Sequence, residues 1–116
     1  MKQTYEGSCH SGKVRFRATL DPAECFVCDC SICTKKGSTI IRIEEPDFEL
    51  ATPLDELSVY QFNKNIAKHY FCPTCGVHPF NRPRSYPDKW AVNVRCLQGV
   101  DVGTLQPRQV FGSKLD

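Results

Sequence analysis

A chain of 116 residues has room for one compact domain, spanning 1–116, with a modest core that metal cross-links would strengthen. Its 15 basic and 13 acidic side chains are well mixed and leave a net charge of +2, which argues against a polybasic nucleic-acid binder or a membrane adhesive. Eight cysteines admit either a disulfide framework or metal ligation; the N-terminus MKQTYEGSCHSG has no apolar h-region, no apolar run is long enough to span a bilayer, and the expectation is metal in a reducing cytoplasm.

In chain order, Met1 to Cys9 reads as a first strand that turns at Ser11-Gly12, so that Cys9 sits beside the turn. Lys13 to Thr19 alternates Val14, Phe16 and Ala18 with Lys13, Arg15 and Arg17, the pattern of a half-buried strand. Asp21-Pro22 breaks it, and Glu24 to Cys28 is a third strand running into a loop with three cysteines. Thr34-Lys35-Lys36-Gly37 predicts a single helical turn closed by glycine. Ser38 to Ile43 and Asp47 to Leu50 read as strands.

Leu57 to Phe62 and Ile66 to Phe71 flank Asn63-Lys64-Asn65, whose asparagines tolerate the left-handed conformation of a tight turn, and predict a hairpin. Next comes Cys72-Pro73-Thr74-Cys75-Gly76, a knuckle in which proline stiffens the turn and glycine lets backbone amides approach the sulfurs. The proline-rich stretch from Val77 to Lys89 predicts a loop that walls a site. Trp90 to Leu97 is the last well-patterned strand, with an edge strand expected near Val110-Phe111.

The cysteine spacings carry the chemistry. Cys28, Cys30 and Cys33 form a C-x-C-x2-C run that can place three sulfurs on one face of a divalent ion. Zinc held by three protein ligands keeps a fourth position for water or substrate, whereas structural sites are closed by four. The knuckle supplies Cys72 and Cys75 to a structural site, and Cys9 is the natural third ligand. Ser11 stands where a C-x-C would supply the fourth, and its hydroxyl is a poor zinc ligand; His10, Cys25, water or nothing are the other candidates. Cys25 and Cys96 read as small buried hydrophobes. His69 reads as an ordinary half-exposed strand histidine, and His78 as a residue able to orient a ligand.

Taken together, G-S-C-H-S-G-K-V-R-F at 7–16, C-D-C-S-I-C-T-K-K-G at 28–37, F-C-P-T-C-G-V-H-P-F at 71–80, and P-R-S-Y-P-D with V-N-V-R-C-L-Q-G at 83–99 resemble the glutathione-dependent formaldehyde-activating enzyme family, which includes centromere protein V. The resemblance implies an all-β domain of the β-tent type with two Zn²⁺ sites. Carried over residue by residue, Cys9, Cys72 and Cys75 match structural ligands, and Cys28, Cys30 and Cys33 match the catalytic-zinc ligands. Ser11 replaces the second cysteine of the family's first motif.

The implied activity is that of a carbon–sulfur lyase: addition of the glutathione thiol to formaldehyde, giving S-hydroxymethylglutathione, and its reversal. Three cysteinates around Zn²⁺ leave about one negative charge, so nearby cations would be needed for an anionic thiol substrate. Lys35, Lys36, Arg82 and Arg84 are the candidates for those contacts. The competing expectation is a non-catalytic zinc-stabilised module for protein or nucleic acid. Against nucleic acid stands the lack of an aromatic-basic stripe.

Overall fold

The computed structural model describes residues 1–115 and is mostly β. Its strands are β1 (Gln3–Ser8), β2 (Arg15–Leu20), β3 (Phe26–Cys28), β4 (Ile40–Ile43), β5 (Phe48–Leu50), β6 (Ser58–Tyr60), β7 (Lys68–Phe71), β8 (Phe80–Arg82), β9 (Trp90–Asn93) and β10 (Arg108–Val110). One short helix, α1 (Ser31–Lys36), and several 3₁₀ turns connect them.

Two sheets result. The smaller has the order β1-β2-β5 and is antiparallel throughout. The larger runs β10-β3-β4-β9-β8-β7-β6, antiparallel except where β10 lies parallel to β3. Gly7 bridges to Leu97, and the Gln98 N–H donates to the Glu6 carbonyl at 2.8 Å, tying the smaller sheet to the segment after β9.

The alternation of β2 sends Phe16 and Ala18 inward, as the sequence predicts, and continues to Leu20 beyond the expected end. Phe16 meets Phe80 edge-on at 5.5 Å, and Phe48 lies 4.5 Å from Trp90, so one aromatic cluster joins the sheets. Burying a side chain such as Phe16 or Phe80 stabilises the fold by about 1.5–3 kcal/mol.

The hairpin at Asn63-Lys64-Asn65 forms, with Asn63 and Asn65 at φ 59° and 57°. Three sequence expectations need correction. The helix begins at Ser31 rather than Thr34, with Cys30 as its N-cap, and ends as expected at Gly37 with φ 66°. The proline-rich stretch contains β8, a central strand, because Pro79 and Pro83 fall just outside it and remove no ladder hydrogen bond from it. The strand from Trp90 stops at Asn93, whose side chain accepts from the Arg95 N–H at 3.2 Å and starts a 3₁₀ turn.

Candidate metal centres and the cavity between the sheet and the C-terminal segment

Two groups of three cysteines come together among the described residues. The Sγ atoms of Cys9, Cys72 and Cys75 lie within 4.8 Å of one another, and so do those of Cys28, Cys30 and Cys33. All eight cysteines are free thiols.

The first group joins the β1–β2 turn to the knuckle between β7 and β8. Gly76, at φ 78°, donates its N–H to the Cys72 carbonyl at 2.8 Å and closes the knuckle. Backbone N–H groups also point at sulfur: Val14 N donates to Cys9 Sγ at 3.3 Å and Thr74 N to Cys72 Sγ at 3.4 Å. The Val77 backbone N–H, followed by Ser11, brings the Cys75 thiol down to about 6. For Cys72, burial is the largest influence and pushes the thiol up, but hydrogen bonds from the Cys75 backbone, Ser11 and Thr74 together outweigh it. This donor set is built for thiolates, and it fits a divalent ion.

The second group is positioned by β3, by α1 and by the C-terminal segment. The Asp29 N–H donates to the Val110 carbonyl at 3.1 Å, and Asp29 Oδ1 accepts from the Ser113 N–H at 3.0 Å. Gly112 is pressed against the sulfurs; a Cβ there would lie 2.5 Å from Cys28 Sγ. Here the electrostatics run the other way. Burial of the sulfur pushes the Cys33 thiol far up, and Cys30, close beside it in this half-buried loop, adds to the effect. Three soft donors that disfavour shared ionisation alone fit a divalent ion placed among them.

Cys28 and Cys30 line a cavity of about 160 Å³, together with Arg42, His69, Arg84 and Tyr86. Lys36, on the same face of α1 as Cys33, is half-buried; burial pushes its amine down against the pull of all three thiols. Its Nζ lies 3.2 Å from His69 Nδ1. His69 is only 3% exposed, which corrects the half-exposed expectation: β7 is flanked on both sides by β6 and β8, and Phe62 stacks on the ring at 5.8 Å. Burial, with Lys36 and His78 adding, lowers its imidazole to about 4, so it is neutral near pH 7. No protein atom among the described residues bonds its Nε2.

The cations expected around the second group divide. Lys36 is brought beside it and Arg84 lines the cavity. Lys35 faces solvent on the other side of α1. Arg82 is turned elsewhere: its guanidinium makes two contacts with Glu45, at 2.6 and 3.2 Å, and stacks 3.6 Å over the Trp90 ring. Arg42 was not singled out by the sequence. It lies in the cavity wall with its guanidinium 4.3 Å from the Tyr86 ring and 5.3 Å from Phe26. The one signal for it was a lone charge in the apolar strand I-I-R-I.

Cys25 is buried in the core, as its sequence context suggests. Cys96 packs against the core as well, and burial, with Cys9 and Cys75 adding, pushes its thiol up to about 12.

Two comparisons with known proteins bear on the chain as a whole. A family model described as glutathione-dependent formaldehyde-activating enzyme matches residues 4–112. A crystal structure of a Rhodobacter sphaeroides protein superposes with a TM-score of 0.83 at 33% identity, covering 91% of this chain and 98% of that one.

Proposed function

Given that the chain belongs to the glutathione-dependent formaldehyde-activating enzyme family, we propose that it is a zinc-dependent carbon–sulfur lyase that forms and cleaves a small thiol adduct, S-hydroxymethylglutathione first among them. The observation that carries this reading is the opening of Cys28 and Cys30 onto a cavity while Cys9, Cys72 and Cys75 are gathered elsewhere. On this reading the whole chain is one domain of the β-tent type, working in a reducing cytoplasm, with the knuckle group structural and the loop group catalytic.

Zinc at Cys28, Cys30 and Cys33 would supply a Lewis acid that favours a substrate sulfur as its thiolate. In the addition, a sulfur–carbon bond forms as the carbonyl π bond of formaldehyde opens, and the thiol proton ends on the new hydroxyl oxygen. Lys36 offsets the negative charge of the three thiolates from within the fold. An ammonium can only donate, so Lys36 requires Nδ1 of His69 to accept, and the ring hydrogen sits on Nε2. His69 is then neutral, with a buried Nε2 that no protein atom among the described residues bonds. Arg42 and Arg84 are suited to carboxylates of a peptide thiol. The cavity is smaller than the roughly 300–1,000 Å³ of sites that enclose a drug-sized ligand. It takes the reacting end of the substrate and leaves the rest on the surface.

The test is exchange NMR on a mixture of glutathione and formaldehyde. The zinc-loaded protein should speed exchange between free and hydroxymethylated glutathione, and Cys30→Ser should abolish the gain. Zinc-loaded protein that matches buffer would exclude this substrate. The rival reading, a non-catalytic zinc-stabilised module, leaves the cavity beside Cys28 and Cys30 without a role.

A further inference from the structure

The knuckle group has three thiols where a closed tetrahedral site takes four donors. Ser11 lies against two of the three thiols. Its Oγ lies 3.4 Å from Cys9 Sγ and 3.6 Å from Cys72 Sγ. An oxygen at about 2.1 Å and a sulfur at about 2.3 Å from one tetrahedral ion stand about 3.6 Å apart, so the hydroxyl already has the spacing of a co-ligand.

Other donors fall away on position. Cys25 lies in the apolar core, and His10 is exposed and outside the group. Cys96 is close by but is not among the thiols within 4.8 Å of one another. Ser11, in contrast, is held in place: the Lys13 N–H donates to its Oγ at 3.3 Å, and the Gly12 N–H donates to the Cys9 carbonyl at 3.2 Å, tightening the turn that carries it.

The geometry points to Ser11 as the fourth, neutral oxygen donor of the metal site formed by Cys9, Cys72 and Cys75. With a divalent ion the set carries a charge of −1 rather than the −2 of four thiolates. A hydroxyl is a harder and weaker donor than a thiolate, so this chain holds its knuckle metal less tightly than a four-cysteine site would. The metal is correspondingly more exchangeable. The inference concerns only the knuckle and stands or falls separately from the catalytic reading of the loop.

The experiment loads the full-length protein with Co²⁺ and reads thiolate-to-metal charge transfer and the ligand-field bands, with Zn²⁺ affinity measured against a chromophoric chelator. Ser11→Cys should gain charge transfer worth one thiolate and release its knuckle metal about ten-fold less readily. Ser11→Ala should shift the ligand-field bands and weaken the same site several-fold, while Cys96→Ala leaves bands and affinity unchanged. The inference is overturned if Ser11→Ala binds as the wild type does, if Ser11→Cys gains no charge transfer, or if Cys96→Ala loses some.

Discussion

The two cysteine groups have the same donors and opposite electrostatics. At the knuckle, backbone N–H groups already solvate sulfur, and the Cys75 thiol sits near 6. In the loop, burial and a neighbouring thiol drive Cys33 up, and compensation comes from a side chain, Lys36. The first group is prepared for its charge by the chain fold itself. The second relies on Lys36 and on whatever positive charge is placed among its sulfurs. On the proposed reading, the first is the centre that holds the fold together and the second the one that meets substrate.

The contrast breaks hardest at Cys75. Structural zinc contributes on the order of 10–16 kcal/mol in small metal-dependent folds, comparable to the whole stability of a domain. Cys75→Ser should therefore abolish the cooperative thermal transition and collapse amide dispersion in the NMR spectrum. A variant that melts like the wild type would show the knuckle metal to be dispensable.

Cys30→Ser is the counterpart. Elemental analysis should find one metal per chain instead of two, with the melting temperature within a few degrees of wild type and the exchange activity lost. Unfolding of this variant would erase the distinction between the groups.

A smaller effect is expected at Gly112. A methyl there meets Cys28 Sγ at 2.5 Å, and the C-terminal segment must shift to admit it. Gly112→Ala should cost about 1–3 kcal/mol in urea denaturation and weaken metal binding at the loop while sparing the knuckle. Equal weakening at both sites would mean that the clasp acts on the whole fold.

A further effect, confined to acid pH, is in the pH dependence. His69 titrates near 4 when folded and near 6.5 when unfolded, so between these values the unfolded chain takes up a proton that the folded chain cannot. Stability from this residue is therefore lost as pH falls from 6.5 towards 4 and is untouched above 6.5. His69→Gln should flatten that part of the pH profile relative to wild type; Lys36 and His78, the charges that reinforce the shift, remain in both proteins. An unchanged slope would place the acid sensitivity elsewhere.

Much of the candidate site was legible because its signals are local. C-x-C-x2-C and C-x2-C-G converge their own sulfurs within one turn of chain, and Asn63-Lys64-Asn65 and Gly37 mark turns that need left-handed backbone. The alternation of Lys13 to Thr19 likewise gave β2 its buried face. The proline-rich stretch misled because its prolines bracket β8 instead of interrupting it, a matter of register that composition does not encode.

The sequence by itself determined that Cys28, Cys30 and Cys33 could act together, and Cys72 with Cys75, since short spacing limits how far apart they can be; the fold brought Cys9 to the second pair. Only the tertiary structure decided what surrounds them. It placed Ser11 against two thiols 2 and 61 residues away, laid Gly112 on Cys28, buried His69 against Lys36, and turned Arg82 to Glu45 while bringing Arg42 to the cavity. Apart from the short step from Cys9 to Ser11, those contacts join segments far apart in the chain. Their charges and donors act over a few ångströms, a distance that sheet pairing fixes and residue order does not.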